Sequence, residues 1–219
     1  WISNTTNVVF DNISVVVEDQ RVGSGVGATS VRDNSSYVTL KNSYFYTRNN
    51  GGSTTFTFAW ADHCIFDNNT VKAEGNVGNL LYLNVYNIKD APSGVPLNTY
   101  NQFINNKVYG KEGSAISVGI MVEGAYNIIA NNTLYKCSAS TSFGGVGAHD
   151  NIYYGNTMTE GSGLTAQANS IVYDNNVTGA LSTGANSIAY GNTVGKALTV
   201  GANAVAYNNE AASLTISGA

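Results

Sequence analysis

Short apolar alternations of strand period recur along the whole chain, for example I-x-Y at residues 171–173 and again at 188–190. An apolar residue at every second position is typical of a half-buried β-strand. No window of helical length shows the i, i+3, i+4 spacing of an amphipathic helix. The pattern therefore predicts an all-β protein made of many short strands.

The alternations belong to an internal repeat, which is clearest in the last third of the chain. Residues 168–184, 185–201 and 202–218 follow one frame, A-N-x-I/V-x-Y-x-N, with a period of 17. A unit of this size cannot bury its own apolar face, so it must stack on its neighbour. Looser copies extend the frame upstream to the first residues. We expect one domain, residues 1–219, folded as a right-handed parallel β-helix of about nine coils.

An asparagine recurs at the same place in each repeat, just after a strand. Asparagine tolerates the left-handed backbone conformation of a tight turn, and its amide can both donate and accept hydrogen bonds. Identical amides one coil apart can therefore bond to one another along the axis. The predicted ladder consists of Asn12, Asn42, Asn69, Asn106, Asn132, Asn156, Asn175, Asn192 and Asn209, with Asn68 as the alternative to Asn69.

A tyrosine column accompanies the asparagines in the C-terminal repeats, at Tyr154, Tyr173, Tyr190 and Tyr207. These residues have the same strand parity as Ile152, Ile171, Ile188 and Val205. We expect the tyrosines to stack in the interior or at a turn edge. The alternative is an exposed stripe that binds carbohydrate.

The distance between repeats contracts along the chain, from 37 residues at its longest to 17 at the C-terminal end. We therefore expect bare C-terminal coils and loop-bearing coils before them. The insertions are predicted at 47–55, 89–98 and 138–148, and solenoids often bind partners through such loops. The alternative is that they are solvent loops without a ligand. Candidate binding residues are Asn49, Asn50, Asp90, Pro92, Ser93, Pro96 and Phe143.

Composition narrows the functional classes. Thirty asparagines outnumber the 24 charged residues, and the net charge is −4. This balance argues against a nucleic-acid partner, a charged helical bundle or a disordered chain. The longest apolar runs, such as 116–122, are too short for membrane insertion. Cys64 and Cys137 are expected in coils about 10 Å apart, too far for a disulfide, so both are predicted to be free, buried thiols.

Candidate chemistry is sparse. Each of the two histidines has an aspartate beside it, as Asp62-His63 and His149-Asp150, but three coils of about 4.8 Å separate the pairs. A paired-carboxylate glycosidase site assembled from different coils is the enzymatic alternative. No metal-ligand cluster and no cofactor motif is recognised, so neither is expected. The weak catalytic candidates are Asp62, His63, Asp67, Glu123, His149 and Asp150.

The coils DNNTV (67–71), ANNTL (130–134), YGNTM (154–158), YDNNV (173–177) and YGNTV (190–194) resemble those of parallel β-helix repeat proteins. They look most like the large adhesin-like surface proteins of methanogenic archaea. The resemblance implies a secreted, modular protein at the cell surface, of which this chain is one block with covalently adjacent domains. Pectate lyases and polygalacturonases share the fold, but the D-D, G-H-G and R-x-K motifs of polygalacturonases are absent.

Three functions follow as expectations. The first is a non-catalytic, extracellular, adhesin-like module whose loops bind a glycan or a cell-surface protein. The second is a polysaccharide lyase or glycoside hydrolase of the pectin-lyase-like type. The third is a structural stalk without a ligand. Because strand edges remain open at an uncapped end, end-to-end self-association is also expected.

Overall fold

The computed structural model describes residues 2–20, 29–49, 54–75, 79–84, 98–110, 117–141 and 148–217. Throughout these ranges the chain forms strands and turns, and every strand pairing is parallel. Within them there is also no helix with the length and hydropathy needed to cross a bilayer. Strands of successive coils stack in three columns along one axis. This is a parallel β-helix, which confirms the predicted fold class.

The strands, numbered in chain order, fall into columns that each take one strand per coil. The first column contains β1 (Ile2–Ser3), β4 (Thr29–Ser36), β7 (Thr54–Asp62), β10 (Asn79–Asn84), β13 (Ser117–Val122), β16 (Cys137–Thr141), β19 (Leu164–Thr165) and β22 (Leu181–Ser182). The second contains nine strands, β2 (Val9–Asp11), β5 (Thr39–Lys41), β8 (Ile65–Asp67), β11 (Gln102–Ile104), β14 (Ile128–Ala130), β17 (Ile152–Tyr154), β20 (Ile171–Tyr173), β23 (Ile188–Tyr190) and β25 (Val205–Tyr207). The third contains β3 (Ser14–Gln20), β6 (Tyr44–Asn49), β9 (Thr70–Gly75), β12 (Lys107–Tyr109), β15 (Thr133–Tyr135), β18 (Thr157–Met158) and β21 (Asn176–Val177). The long strands β24 (Thr193–Val200) and β26 (Glu210–Ile216) run through the corner between the third and first columns and pair in both.

The core lies inside the rod, where the middle residue of most second-column strands points inward. Phe66 and Phe103 in the wide coils and Val172 in a narrow coil are all buried at this position. The wide coils are filled by phenylalanines, with Phe56 and Phe66 only 4.6 Å apart between ring centroids. The decrease from Phe to Val and Ala follows the decrease in coil length, because a shorter coil encloses less volume.

A ladder of buried amides joins the coils at the corner between the second and third columns. The Nδ2 of Asn132 donates to the Oδ1 of Asn156 at 3.0 Å, and Asn175 donates to Asn192 in the same way at 2.9 Å. The backbone N–H of each ladder residue before Asn209 also donates to the Oδ1 of the ladder asparagine in the next coil. The asparagine ladder consists of Asn69, Asn106, Asn132, Asn156, Asn175, Asn192 and Asn209.

The predicted ladder is out of register by one residue in the first two coils. In the second coil the ladder position is held by Ser43, whose Oγ accepts from the N–H of Ile13, the residue at this position in the first coil, while the N–H of Ser43 donates to Asn69. Asn12 and Asn42 lie one residue earlier, on the exposed turn, with φ of 55° and 52°. The turn thus has two adjacent polar positions, one with positive φ and one with a buried acceptor. An Asn-Asn pair such as Asn105-Asn106 supplies both. In the Gly155-Asn156 turn glycine takes the positive-φ position and asparagine the buried one, whereas in Asn42-Ser43 asparagine takes the positive-φ position and serine the buried one.

The tyrosines of the C-terminal coils stack as predicted, but they do not lie in the interior. The inward residues of these strands are Tyr153, Val172 and Ala189, which are buried. The outward residues form two parallel columns. We call Tyr154, Tyr173, Tyr190 and Tyr207 the tyrosine ladder, and Ile152, Ile171, Ile188 and Val205 the aliphatic column.

Both cysteines are free and buried, as predicted. Burial raises the pKa of the Cys64 thiol to about 11 and that of the Cys137 thiol to about 12. Burial disfavours the thiolate because a charge is poorly solvated inside the rod. These thiols are therefore core residues in the native protein.

Candidate functional site

Five aromatic rings form a continuous exposed row along the turn that precedes the second column. Centroids are 4.9 Å apart for Tyr37 and His63, 4.9 Å for His63 and Tyr100, and 5.3 Å for Tyr100 and Tyr126. His149 continues the row with its ring nearly perpendicular to that of Tyr126, at 5.9 Å. The three tyrosines are between 47% and 54% exposed. We call these five residues the aromatic stripe.

Four residues of the stripe have a backbone conformation that their side chains disfavour. Their φ angles lie between 51° and 60°, in the left-handed region. A bulky residue in this region costs about 1–2 kcal/mol. In other coils the same turn position is occupied by Asn7, Asn169, Asn186 and Asn203, also with positive φ. Asparagine tolerates this conformation, so the fold itself does not require aromatic residues here.

A second amide ladder lies directly beneath the stripe and holds its backbone. The N–H of Cys64 donates to the Oδ1 of Asn101 at 2.9 Å, that of Asn101 to Asn127 at 2.9 Å, and that of Asn127 to Asn151 at 2.8 Å. The asparagines Asn101 and Asn127 each follow a stripe tyrosine by one residue. Because both are fully buried, they fix the turn from inside and leave the preceding side chain on the surface.

Each stripe histidine is oriented by the aspartate next to it. The Nδ1 of His63 lies 2.8 Å from the Oδ2 of Asp62, and the Nδ1 of His149 hydrogen-bonds to the Oδ2 of Asp150. A carboxylate oxygen accepts, so in the neutral ring Nδ1 carries the proton and Nε2 is an acceptor. The two pairs thus place hydrogen-bonding groups of defined polarity within the row.

The stripe presents ring edges and hydroxyl groups, because neighbouring rings cover most of the ring faces. The stripe has one aromatic residue in each coil, and successive coils are about 4.8 Å apart along the axis. None of the five turns that carry it, at 36–39, 62–65, 99–102, 125–128 and 148–151, contains Lys or Arg. The surface is a straight row of polar-edged aromatic groups with a carboxylate near each histidine. It can contact an extended ligand over five coils.

The predicted catalytic residues do not converge. Tyr100 and Tyr126 lie between the two histidine-aspartate pairs. Asp67 ends a second-column strand and accepts from the Nδ2 of Asn105 at 2.8 Å, and Glu123 is largely buried. Among the described residues, no group of three or more His, Cys, Asp or Glu side chains is placed to hold a metal ion.

Most predicted loop residues lie outside the described ranges, namely Asn50, Asp90, Pro92, Ser93, Pro96 and Phe143. The backbone of Asn49 ends β6. The structure instead draws attention to Tyr37, Tyr100 and Tyr126, which the sequence did not single out. Their signal is an aromatic residue two positions before each second-column strand, where the later repeats have asparagine.

Comparisons with protein-family models, curated proteins and solved structures found no match to this chain. Its function is therefore inferred from the fold and the aromatic stripe.

Proposed function

We propose that this chain is a non-catalytic binding module of an extracellular, adhesin-like surface protein, and that its aromatic stripe binds an extended polysaccharide. The main support for this proposal is the disfavoured, positive-φ backbone conformation of four stripe residues. Strained backbone conformations of this kind cluster at functional sites. The fold does not need aromatic residues at this turn, because asparagine serves it at the same position in four other coils.

The chemistry of the stripe favours a sugar chain as the ligand. Tyrosine hydroxyls donate and accept, and neutral histidine offers an acceptor at Nε2, so the row matches a partner with many hydroxyl groups. Ring edges also provide apolar contact beside these polar groups. The rungs repeat at about the strand spacing of 4.8 Å, which is close to the length of one sugar ring in an extended chain. The rigid rod holds the row straight, so little conformational freedom is lost on binding.

The charges of the stripe favour a neutral polysaccharide over a polyanion. Asp62 and Asp150 lie within it, and its five turns carry no Lys or Arg. A polyuronide would therefore meet like charge without a compensating cation. This preference separates the proposal from a pectin-directed enzyme, whose substrate is acidic.

The test is binding of the purified chain to an array of neutral and acidic polysaccharides. We expect binding to a neutral glycan, and we expect the double variant Tyr100→Asn/Tyr126→Asn to bind at least tenfold more weakly, a loss of about 1.4 kcal/mol. Asparagine is chosen because other coils carry it at this turn. The matched control is Tyr109→Thr, which removes a tyrosine that stacks on Tyr135 at 4.6 Å in the third column.

Three outcomes would contradict the proposal. Equal weakening by the control would show that the stripe is not the binding surface. Absence of binding to every glycan would favour the structural stalk. Release of new reducing ends or unsaturated sugars, abolished by substitution of one carboxylate such as Asp62→Asn, would favour the polysaccharide-active enzyme.

A further inference from the structure

A second exposed feature lies on the outward face of the four C-terminal second-column strands β17, β20, β23 and β25. The tyrosine ladder and the aliphatic column run side by side along this face, because their members are two residues apart on each strand. The residue between them points inward on every strand, so backbone forms the floor between two walls. The result is a straight channel that crosses four strands without interruption.

The tyrosine wall of the channel repeats with nearly constant geometry from coil to coil. Successive tyrosine centroids are 4.9, 5.0 and 5.1 Å apart, and the ring planes deviate by only 8°, 4° and 5°. Two residues along a strand span about 6.6 Å, which sets the spacing of the walls. Because non-bonded carbon atoms keep about 3.5 Å between centres, this spacing leaves a free slot of about 3 Å, close to the thickness of an aromatic ring that stands on edge. Its length over four rungs is about 15 Å at the strand spacing, so it suits a flat molecule of several fused or linked rings.

The charge near the channel is negative. The Oδ1 of Asp174 lies against Gly191 in the next coil, where an added Cβ would be only 2.3 Å away. This places the carboxylate at the turn that directly follows the tyrosine ladder, next to the residue after Tyr190. The pKa of Tyr173 is raised, first by burial and then by the neighbouring Tyr154, Tyr190 and Asp174. The sole Lys or Arg in residues 148–217 is Lys196, which lies on β24, outside the second column.

We propose that this channel binds elongated, planar, cationic aromatic molecules, with their long axis parallel to the rod. The repeated side chains give the ligand the same two walls at every coil, so affinity grows with the number of coils spanned. The exposed aliphatic and aromatic edges supply apolar contact. The Asp174 carboxylate supplies the complementary charge. This site is separate from the aromatic stripe and does not depend on the polysaccharide proposal.

The probe is thioflavin T, a flat benzothiazolium dye whose fluorescence rises when its two ring systems are held coplanar. We expect saturable enhancement with the native chain. Tyr173→Thr, in the middle of the ladder, should weaken binding at least tenfold, and Tyr173→Phe should retain it because the wall remains. Ile188→Lys, at a residue already 37% exposed, should block the slot and repel the cation without disturbing the core.

Two further measurements separate shape from charge and this site from others. Asp174→Asn should weaken the cationic dye by two- to fivefold and leave an uncharged analogue unaffected. Tyr100→Asn in the stripe and Tyr109→Thr in the third column should leave dye binding unchanged. The proposal is wrong if the native chain gives no saturable enhancement. It is equally wrong if Ile188→Lys, folded by circular dichroism, binds the dye as the native chain does.

Discussion

Replacing Asn192 with alanine is the most direct test of the asparagine ladder. Its buried side chain makes five hydrogen bonds. The Oδ1 accepts from the backbone N–H and the Nδ2 of Asn175, at 3.1 and 2.9 Å. The two N–H groups of Nδ2 serve three acceptors, namely the carbonyls of Val172 and Tyr190, both at 3.0 Å, and the Oδ1 of Asn209 at 2.8 Å, so that one N–H is shared between two of them. Alanine removes all five.

The expected loss of stability is about 2–4 kcal/mol. Leaving the buried N–H of Asn175 without its acceptor costs about 1–3 kcal/mol, and each further lost bond contributes about 1 kcal/mol or less after exchange with water. The backbone N–H of Asn192 still donates to Asn209 in the variant, which limits the damage to one corner. For a chain of this size, 3 kcal/mol corresponds to a decrease in Tm of about 6–12 °C.

Urea unfolding followed by circular dichroism measures the loss, and an unchanged m-value shows that the same surface is exposed. The control is Asn176→Ala, one residue beyond the ladder residue Asn175, where the side chain is exposed. It should change the free energy of unfolding by less than about 0.5 kcal/mol. If Asn192→Ala is no more destabilising than this control, the amide ladder does not stabilise the rod.

Three further outcomes are expected. Cys64 and Cys137 should resist alkylation at neutral pH in the native chain and react in urea, since burial raises both thiol pKa values; labelled peptides from native protein would contradict this. Gly191→Ala should lower the free energy of unfolding by about 1–3 kcal/mol, because φ is 65° and the new Cβ would meet Asp174; an unchanged Tm would refute it. Tyr100→Asn should change the free energy of unfolding by less than about 1 kcal/mol, because relief of about 1–2 kcal/mol of backbone strain offsets the loss of two ring contacts. A larger loss in urea unfolding would show that the fold needs the tyrosine.

The fold could be predicted because one signal repeats at every coil. The 17-residue period and the asparagine after each strand indicate stacking, and Asn156, Asn175 and Asn192 occupy the predicted ladder. The prediction for the second coil is wrong by one residue because the turn has two adjacent polar positions, and a lone asparagine such as Asn42 can occupy either of them. Glycine before Asn156 takes the positive-φ position, but no glycine precedes Asn42, so Asn42 takes that position itself. Ser43 fills the buried position with a hydroxyl.

The alternation of apolar and polar residues does not predict whether the tyrosine ladder points into the core or toward solvent. In I-Y-Y at 152–154 and I-V-Y at 171–173 every residue is apolar or aromatic, so both faces have the pattern of a core face. The residues that fit the volume of the interior are buried, and in these coils they are the middle residues of the strands, Tyr153 and Val172. The aromatic stripe was missed for a different reason. It occupies one turn position per coil, with no strand period, and becomes visible when Tyr100 is aligned with Asn169.

The asparagine ladder also has a direction. In the series from Asn106 through Asn132, Asn156 and Asn175 to Asn192, each side-chain amide donates an N–H to the Oδ1 of the following coil, and its own Oδ1 accepts from the preceding one. Amide dipoles aligned head to tail add, with the positive pole toward the C-terminal coils and the negative pole toward Ser43. The dipoles of the β-sheets themselves are small. The rod therefore carries an internal electric polarity, which each added coil lengthens and which its two ends present with opposite sign.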